Sequence, residues 1–322
     1  MNDTGTNSRP SIPDETARHT EPPLVSVVIV NWNTSRELED CLCSLYQYHP
    51  DLALEVWVID NASSDESLSM LKENFPGVKL IENHENRGFA AANNQAFAKI
   101  DQRCPFVLVL NPDIVFLEGS LTILLDFSKS RQDAHVVTPR MLGPDSRLQA
   151  SCRRREPTPG SMLARLLGLG RLFPASRALA GYTYGDLSES ITHKIDSTSG
   201  SFMFFKREVL EEVGGFDERF FMYAEDLDWC RRARQKGFGI YYHPETSVVH
   251  LRGASSDKCS LKSLWHLHRT GLMYIKKHHR SDYSLAFRMI LAVALALHFA
   301  FAAGIGLVRA PFYRRRKVKV KT

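Results

Sequence analysis

The acids Glu225, Asp226 and Asp228 fall within one four-residue run, and Phe216, Phe220, Phe221, Tyr223 and Trp229 crowd them along the chain. A carboxylate among aromatic rings loses hydration, which raises its proton affinity and makes it a better general base. Three smaller polar clusters recur upstream: Asn31 with Asn33, Asp60 with Asn61, and Asn111 with Asp113. Asn and Asp are ordinary turn residues, so one such cluster carries little weight. Three of them, each after an apolar run, describe a binding edge. The consecutive Arg153, Arg154 and Arg155 lie in a loop-like basic stretch, LQASCRRREPTP. Guanidinium groups there suit phosphate, or they form a solvated charge run.

The elements that must position these residues are legible in hydrophobic pattern. Leu24 to Val30 (LVSVVIV) is an apolar, mostly β-branched run interrupted only by Ser26, as expected of a strand buried on both faces. Ser35 to Tyr48 reads as a helix, Leu54 to Ile59 as a strand, Ser67 to Phe75 as a helix and Val78 to Glu82 as a short strand. A helix over Ala90 to Lys99, a strand over Phe106 to Leu110 and a helix over Leu117 to Ser128 follow. Alternating strands and helices predict an α/β fold, Rossmann-like, with a mostly parallel central sheet. The polar clusters then sit beyond strand C-termini, the edge where open α/β sheets bind ligands. A second part begins at Val136 to Pro139. It continues through a short helix or flap over Met162 to Leu172, a strand over Ser201 to Phe205, a helix over Lys206 to Val213, and short strands over Gly239 to Tyr242 and Ser247 to Val249, with His250 following. A Gly-Gly-Phe-Asp turn (Gly214 to Asp217) precedes the acidic run, and a basic amphipathic helix over Trp229 to Gln235, with Gly237 as its stop, follows it. Glu225 and Asp226 therefore belong at or just before a helix N-terminus, where the helix dipole favours negative charge.

Six pieces stand in order: VSVVIVNWN (Val25 to Asn33), VIDNASSD (Val58 to Asp65), ENRGFAAANN (Glu85 to Asn94), VLVLNPD (Val107 to Asp113), GGFDERFFMYAEDLDWCRR (Gly214 to Arg232) and VVHLRGASS (Val248 to Ser256). Together they resemble the family-2 glycosyltransferases of the GT-A fold, most closely their rhamnosyltransferase-like branch, over about Leu24 to Ser256. The resemblance implies a nucleotide-sugar-binding half over residues 24–128 and an acceptor and catalytic half over 129–256. It implies inverting transfer of a sugar from a nucleotide-diphosphate donor to a lipid-linked or polysaccharide acceptor in cell-surface glycan synthesis. Rhamnose from dTDP-rhamnose is the first expectation; a hexose or N-acetylhexosamine from a UDP donor is the alternative. A divalent metal, Mg²⁺ or Mn²⁺, would neutralise the departing diphosphate.

By position, the resemblance gives Asp113 and His250 the metal and Asp226 the general base, with Glu225 orienting the acceptor and Asp228 structural. Asp60 would accept the nucleobase imide N–H, with Asn31, Asn33 and Asn61 beside it. Arg87 and Gly88 would form a loop facing the pyrophosphate or the base. The family's Asp-x-Asp appears here as Asn111-Pro112-Asp113, so one metal-facing charge is missing and Asn111 is left to bond ribose or phosphate. Arg153 and Arg154 would meet the diphosphate of a lipid-linked acceptor, with Gly200, Ser201 and Trp229 also on the acceptor side.

The chain has 322 residues, 43% hydrophobic and 24% charged, values that belong to a globular protein. A net charge of +5 is modest, and no nucleic-acid partner is expected. Six cysteines lack CxxC or zinc-site spacing and read as reduced and structural. Residues 1–23 are polar and Pro-rich, with no signal-peptide pattern, and read as a disordered leader. Residues 257–288 read as a helical linker. The run 289–308 (MILAVALALHFAFAAGIGLV) is long enough to span a bilayer, and a basic tail over 309–322 follows it. Basic residues on both flanks favour an in-plane or re-entrant helix against the anionic cytoplasmic leaflet over a simple span. The expected location is the cytoplasmic face of the cell membrane; self-association into a homo-oligomer stays open. Two rivals remain: a non-catalytic, membrane-anchored nucleotide-sugar binder, favoured by Asn111, and a Rossmann-type oxidoreductase. The second needs a GxGxxG turn where Asn31-Trp32-Asn33-Thr34 stands.

Overall fold

The computed structural model describes residues 22–300, apart from 159, 162–163, 165–168, 174–175, 178–180, 252–260 and 288. Most of the expected leader and of the Met162 to Leu172 flap, residues 301–308 of the expected membrane helix, and the basic tail lie outside the described residues.

Apolar runs with no polar alternation need cover on both faces, and the chain supplies it with a nine-stranded sheet ordered β3-β2-β1-β4-β8-β6-β9-β5, with β7 also on β9. β1 (Val25–Asn31), β2 (Leu54–Asp60), β3 (Lys79–Glu82) and β4 (Phe106–Leu110) are mutually parallel. β8 (Phe202–Lys206) runs antiparallel to β4 and to β6 (Val136–Leu142); β6 is parallel to β9 (Ile240–His250). The short β5 (Ile114–Phe116) and β7 (His193–Lys194) pair antiparallel with β9. The result is an α/β, GT-A-like architecture with a mostly parallel central sheet, and the sheet runs without a break through both expected halves.

Register sets the working edge. Asn31 lies opposite Asp60, and Ile29 opposite Leu110, so Asn31, Asp60 and Asn111 emerge side by side. Because β8 is antiparallel to β4, its N-terminal approach, Gly200 and Ser201, reaches the same edge. Val27, Val28, Leu108, Val109 and Phe204 are fully buried beneath it. Each such side chain stabilises the fold by about 1.5–3 kcal/mol relative to exposure.

Three boundaries depart from the pattern reading. β5 was not foreseen, and the next helix starts at Ser120 rather than Leu117, because Gly119 at φ 69° breaks the chain direction just before it. The two short strands expected over Gly239–Val249 are one strand, and His250 is its last residue. A register shift opposite Pro139/Arg140 absorbs the Pro-Glu-Thr interruption. The expected linker contains the helix Leu261–His278.

Candidate active site

At the edge of β1 and β2, short polar side chains knit two loops together. Asn31 Nδ2 donates to Asp60 Oδ1 at 2.9 Å and to Ser63 Oγ at 3.1 Å, and the Ser63 amide donates to Asp60 Oδ2 at 2.8 Å. Asp60 is buried, so it reaches a base only through its remaining lone pairs. Asn33 takes the Ser64 amide at 2.7 Å, and Asn61 reaches Gly88 O at 3.2 Å and Asn83 at 2.9 Å. Asn33 (φ 55°) and Ala62 (φ 62°) are left-handed, a conformation that persists when surroundings enforce it. Trp32 stands 45% exposed between the two asparagines, a flat apolar face beside the polar network. The sequence reading passed over it because one exposed aromatic has no periodicity to announce it.

Asp113 and His250 meet where β5 pairs with β9. Asp113 Oδ1 lies 3.1 Å from His250 Nε2, and both side chains are buried. Gln149 Nε2 donates to His250 O at 2.8 Å, which turns its Oε1 toward His250 Nδ1 at 2.7 Å. Nδ1 therefore carries the hydrogen, and Nε2 presents its lone pair to a carboxylate oxygen. Two acceptors face to face require a shared cation, a proton or a metal ion. The pair thus fits a divalent-metal site with two protein ligands, although no group of three or more His, Cys, Asp or Glu with such geometry occurs among the described residues. Gln149 was not singled out from sequence; only its tautomer-setting contact reveals it.

A chain of contacts runs from this pair to the acidic helix Glu225–Gln235. Asn111 bonds Ser201 twice, N to O at 3.0 Å and Nδ2 to Oγ at 3.2 Å. The adjacent Gly200 amide donates to Asp226 Oδ2 at 3.0 Å. Arg154 Nη2 reaches the same oxygen at 2.8 Å and also donates to Thr198 O. Burial alone would weaken the Arg154 charge, but Asp226 beside it holds its pKa above the usual guanidinium range. The Leu227 amide donates to Asp226 Oδ1 at 2.7 Å. Glu225 is also buried, and its Oε2 has no partner among the described residues. Burial first, and Asp226 second, push the Glu225 carboxyl well above the usual carboxylate range, so it holds its proton at neutral pH.

The chain enters this helix through Tyr223 (φ 70°) and Ala224 (φ 67°), two consecutive left-handed residues that turn the acids inward. Non-glycine residues there cost about 1–3 kcal/mol each. Packing around Phe220 and Ala224 by Tyr274, Ile275, Leu291 and Leu295 offsets that cost. Asp228 is buried among Lys277 Nζ (2.5 Å), His278 Nε2 (2.6 Å) and Arg232 Nε (2.9 Å). Burial pushes its carboxyl up, but the bonds from His278, Lys277 and Arg232 win and bring it down. Asp228 thereby anchors the helix Leu261–His278.

Several expected roles are corrected. Arg153 is 2% exposed and donates to Ser188 O at 2.9 Å and Leu187 O at 3.2 Å, so it is a buried brace and cannot meet a diphosphate. Arg155 is committed to Asp186, and Arg154 to Asp226 rather than to an acceptor. Trp229 is wholly buried against Phe205 and Phe216, its indole N–H donating to Gly214 O at 2.9 Å, and lines no acceptor surface. Consecutive arginines read as a phosphate loop only while their burial is unknown. Gly88 (φ 83°) serves a close crossing: a Cβ there would lie 2.4 Å from Phe221 O, which accepts the Phe89 amide at 2.9 Å. Arg87 beside it is exposed.

The arrangement places an oriented carboxylate, a protonated one and a cation-seeking Asp–His pair along one sheet edge. That is machinery for activating a hydroxyl beside an anionic leaving group.

Comparison with known proteins agrees with that chemistry. The model of the family described as glycosyltransferase-like family 2 matches residues 22–268. The chain is 28% identical over 307 residues to the N-acetylglucosaminyl-diphospho-decaprenol L-rhamnosyltransferase of Mycobacterium tuberculosis, covering 92% of this chain and 97% of that protein. It is 25% identical over 190 residues to the rhamnosyltransferase WbbL of Escherichia coli, covering 57% of this chain and 68% of that one. Among solved structures, a mannosyltransferase from Pyrobaculum calidifontis in complex with GDP-Man and Mn²⁺ shares the fold. Its TM-score is 0.53 at 21% identity, over 91% of this chain and 76% of that one.

Proposed function

The chain belongs to glycosyltransferase-like family 2, and from that premise we propose that it transfers rhamnose, with inversion, from a dTDP-linked donor to a lipid-diphosphate-linked acceptor. The donor and acceptor follow the M. tuberculosis relative, whose likeness extends over nearly both whole chains. One observation carries the catalytic assignment. Asp226 is held by the Gly200 amide, one residue from the Ser201 that bonds Asn111, on the edge that also bears Asp60 and Asp113.

In this reading Asp226 removes the proton from the acceptor hydroxyl. The oxygen forms a bond to the anomeric carbon as the bond to the diphosphate breaks on the opposite face. The proton rests on Asp226, and the nucleoside diphosphate departs. Protonated Glu225 orients the acceptor. Asp60, with Asn31, Asn33 and Asn61, holds the base and ribose, and Arg87 lies beside the phosphates. Asp113 and His250 would hold Mg²⁺ or Mn²⁺, which when bound neutralises charge on the diphosphate.

The test is a panel of dTDP-rhamnose, UDP-hexoses and UDP-N-acetylhexosamines, with Mg²⁺ or Mn²⁺ and N-acetylglucosaminyl-diphospho-polyprenol as acceptor. Nucleoside diphosphate release is scored, and product stereochemistry is read by NMR. Release from dTDP-rhamnose is expected, with Asp226→Asn reducing turnover by about 10²–10⁴-fold, the range of a general base. Release from UDP sugars alone transfers the assignment to the alternative donor; no release from any donor overturns the enzyme reading.

We also propose an in-plane membrane contact at the cytoplasmic face. No helix among the described residues is long and apolar enough to cross a membrane. Residues 289–300 are helical, with Leu291 and Leu295 packed inward and Met289, Ile290, Val293 and Leu297 at least half exposed. Lys276 and Arg280, both exposed, precede this helix in the chain and carry the charge that anionic headgroups attract. Flotation with anionic vesicles but not neutral ones is the expected result; equal recovery with both refutes it.

A further inference from the structure

A general base works only if its carboxylate is held with one oxygen free and turned to the hydroxyl. In Asp226 the two oxygens are unequal. Oδ2 takes both the Arg154 guanidinium at 2.8 Å and the Gly200 amide at 3.0 Å, whereas among the described residues Oδ1 takes only the Leu227 amide at 2.7 Å. Oδ2 is filled and Oδ1 keeps an in-plane lone pair.

Arg154 is itself fixed. Its backbone exchanges two hydrogen bonds with Ser197, each of 2.9 Å, and its Nη2 also donates to Thr198 O. The guanidinium therefore grips the β8 approach and the acidic helix together, in a pocket that leaves it and Asp226 both under 9% exposed.

Resting on the glycosyltransferase reading above, we propose that Arg154 is a positioning residue for the transfer, locking Asp226 through Oδ2 so that Oδ1 is the atom that receives the acceptor proton. Among the described residues, the charged and titratable groups facing this carboxylate are Arg154, Glu225 and the Cys230 thiol, with Tyr182 near the guanidinium. Burial pushes Cys230 up to about 12, and Glu225 holds its proton, so neither adds a negative charge beside Arg154 at neutral pH. Arg154 is the cation bonded to the Asp226 carboxylate in this pocket.

The experiment follows kcat, both KM values and the pH profile of kcat/KM for Arg154→Met and Arg154→Lys, beside Asp226→Asn, with thermal unfolding of each. Arg154→Met is expected to move the acid limb up by about 1–3 pH units, the span an adjacent guanidinium commands. It should lower kcat at pH 7 at least tenfold while both KM values stay within about threefold. Loss of a merely structural contact would lower thermal stability and leave the acid limb in place, and that outcome overturns the proposal. Arg154→Lys keeps the charge and loses the planar two-ended grip, so it should keep the limb and lower kcat about tenfold. If Arg154→Met does not fold, the lysine variant decides: wild-type kcat, or a rise in acceptor KM alone, overturns the positioning role. Asp226→Asn separates the two levels. Full activity there removes the base assignment itself, whereas an inactive Asp226→Asn beside an unshifted Arg154→Met removes only this inference.

Discussion

Gly88→Ala tests the contact that joins the two halves of the site, and Gly214→Ala supplies its control. Both glycines share one backbone conformation, φ 83° and ψ 173° at Gly88, φ 76° and ψ −177° at Gly214. A Cβ in that region costs about 1–3 kcal/mol at either position. At Gly214 nothing lies within 4 Å of the added carbon. At Gly88 it would lie 2.4 Å from Phe221 O and 2.7 Å from Phe221 Cδ2. A backbone carbonyl yields less readily than a side-chain tip. Relief of the clash adds about 1–3 kcal/mol for overpacking, and loss of the Phe89 amide bond adds about 0.5–1.5 kcal/mol. Gly88→Ala should therefore be less stable than Gly214→Ala by about 2–4 kcal/mol, measured by urea unfolding of both proteins. Turnover of the folded Gly88 variant should fall about 10²-fold, because displacing Phe221 moves the Tyr223–Ala224 turn that aims Glu225 and Asp226. Two variants within about 0.5 kcal/mol of each other, the ordinary scatter of surface substitutions, would refute the reasoning.

Glu225→Gln should change how stability depends on pH. The folded state raises the Glu225 pKa, so this carboxyl stabilises the fold below its unfolded value of about 4.3, and that contribution is lost as pH rises into the neutral range. The glutamine variant lacks the loss and should gain on the wild type between pH 5 and pH 8 in urea titrations; parallel slopes would contradict it. Arg153→Met should lower stability by about 3–5 kcal/mol, since two backbone carbonyls lose a buried charged donor. Acceptor KM should stay unchanged in the protein that folds; a raised KM at wild-type stability would return Arg153 to the acceptor surface.

Much of the first half was legible because its physics is local. Val25–Asn31 is apolar apart from Ser26 and the terminal Asn31, and Phe106–Leu110 is apolar throughout, and such runs have no stable place except between two covered faces. The polar residues at their ends were legible for the same reason, since a buried strand must surface somewhere. The acidic helix was found by its charge order. What could not be read depends on distant partners. Arg153 and Arg155 differ from Arg154 only in which carbonyl or carboxylate the fold brings near, and adjacent residues of one type carry no sign of that. Trp229 looked like a neighbour of the acids because sequence distance ignores that a helix turns it toward Phe205. Gln149 matters through an amide orientation set by a backbone oxygen a hundred and one residues away. β9 was split because Pro244 breaks the pattern, whereas the register shift against β6 carries the strand past it.

The paired amides of Arg154 and Ser197 close the neck of the long excursion between them. Both ends of residues 155–196 return to the same point beside the Asp226 carboxylate. Selection can lengthen, shorten or recompose that excursion without moving the contacts at its base. On the function proposed above, one sheet edge can in this way serve a succession of different glycan partners.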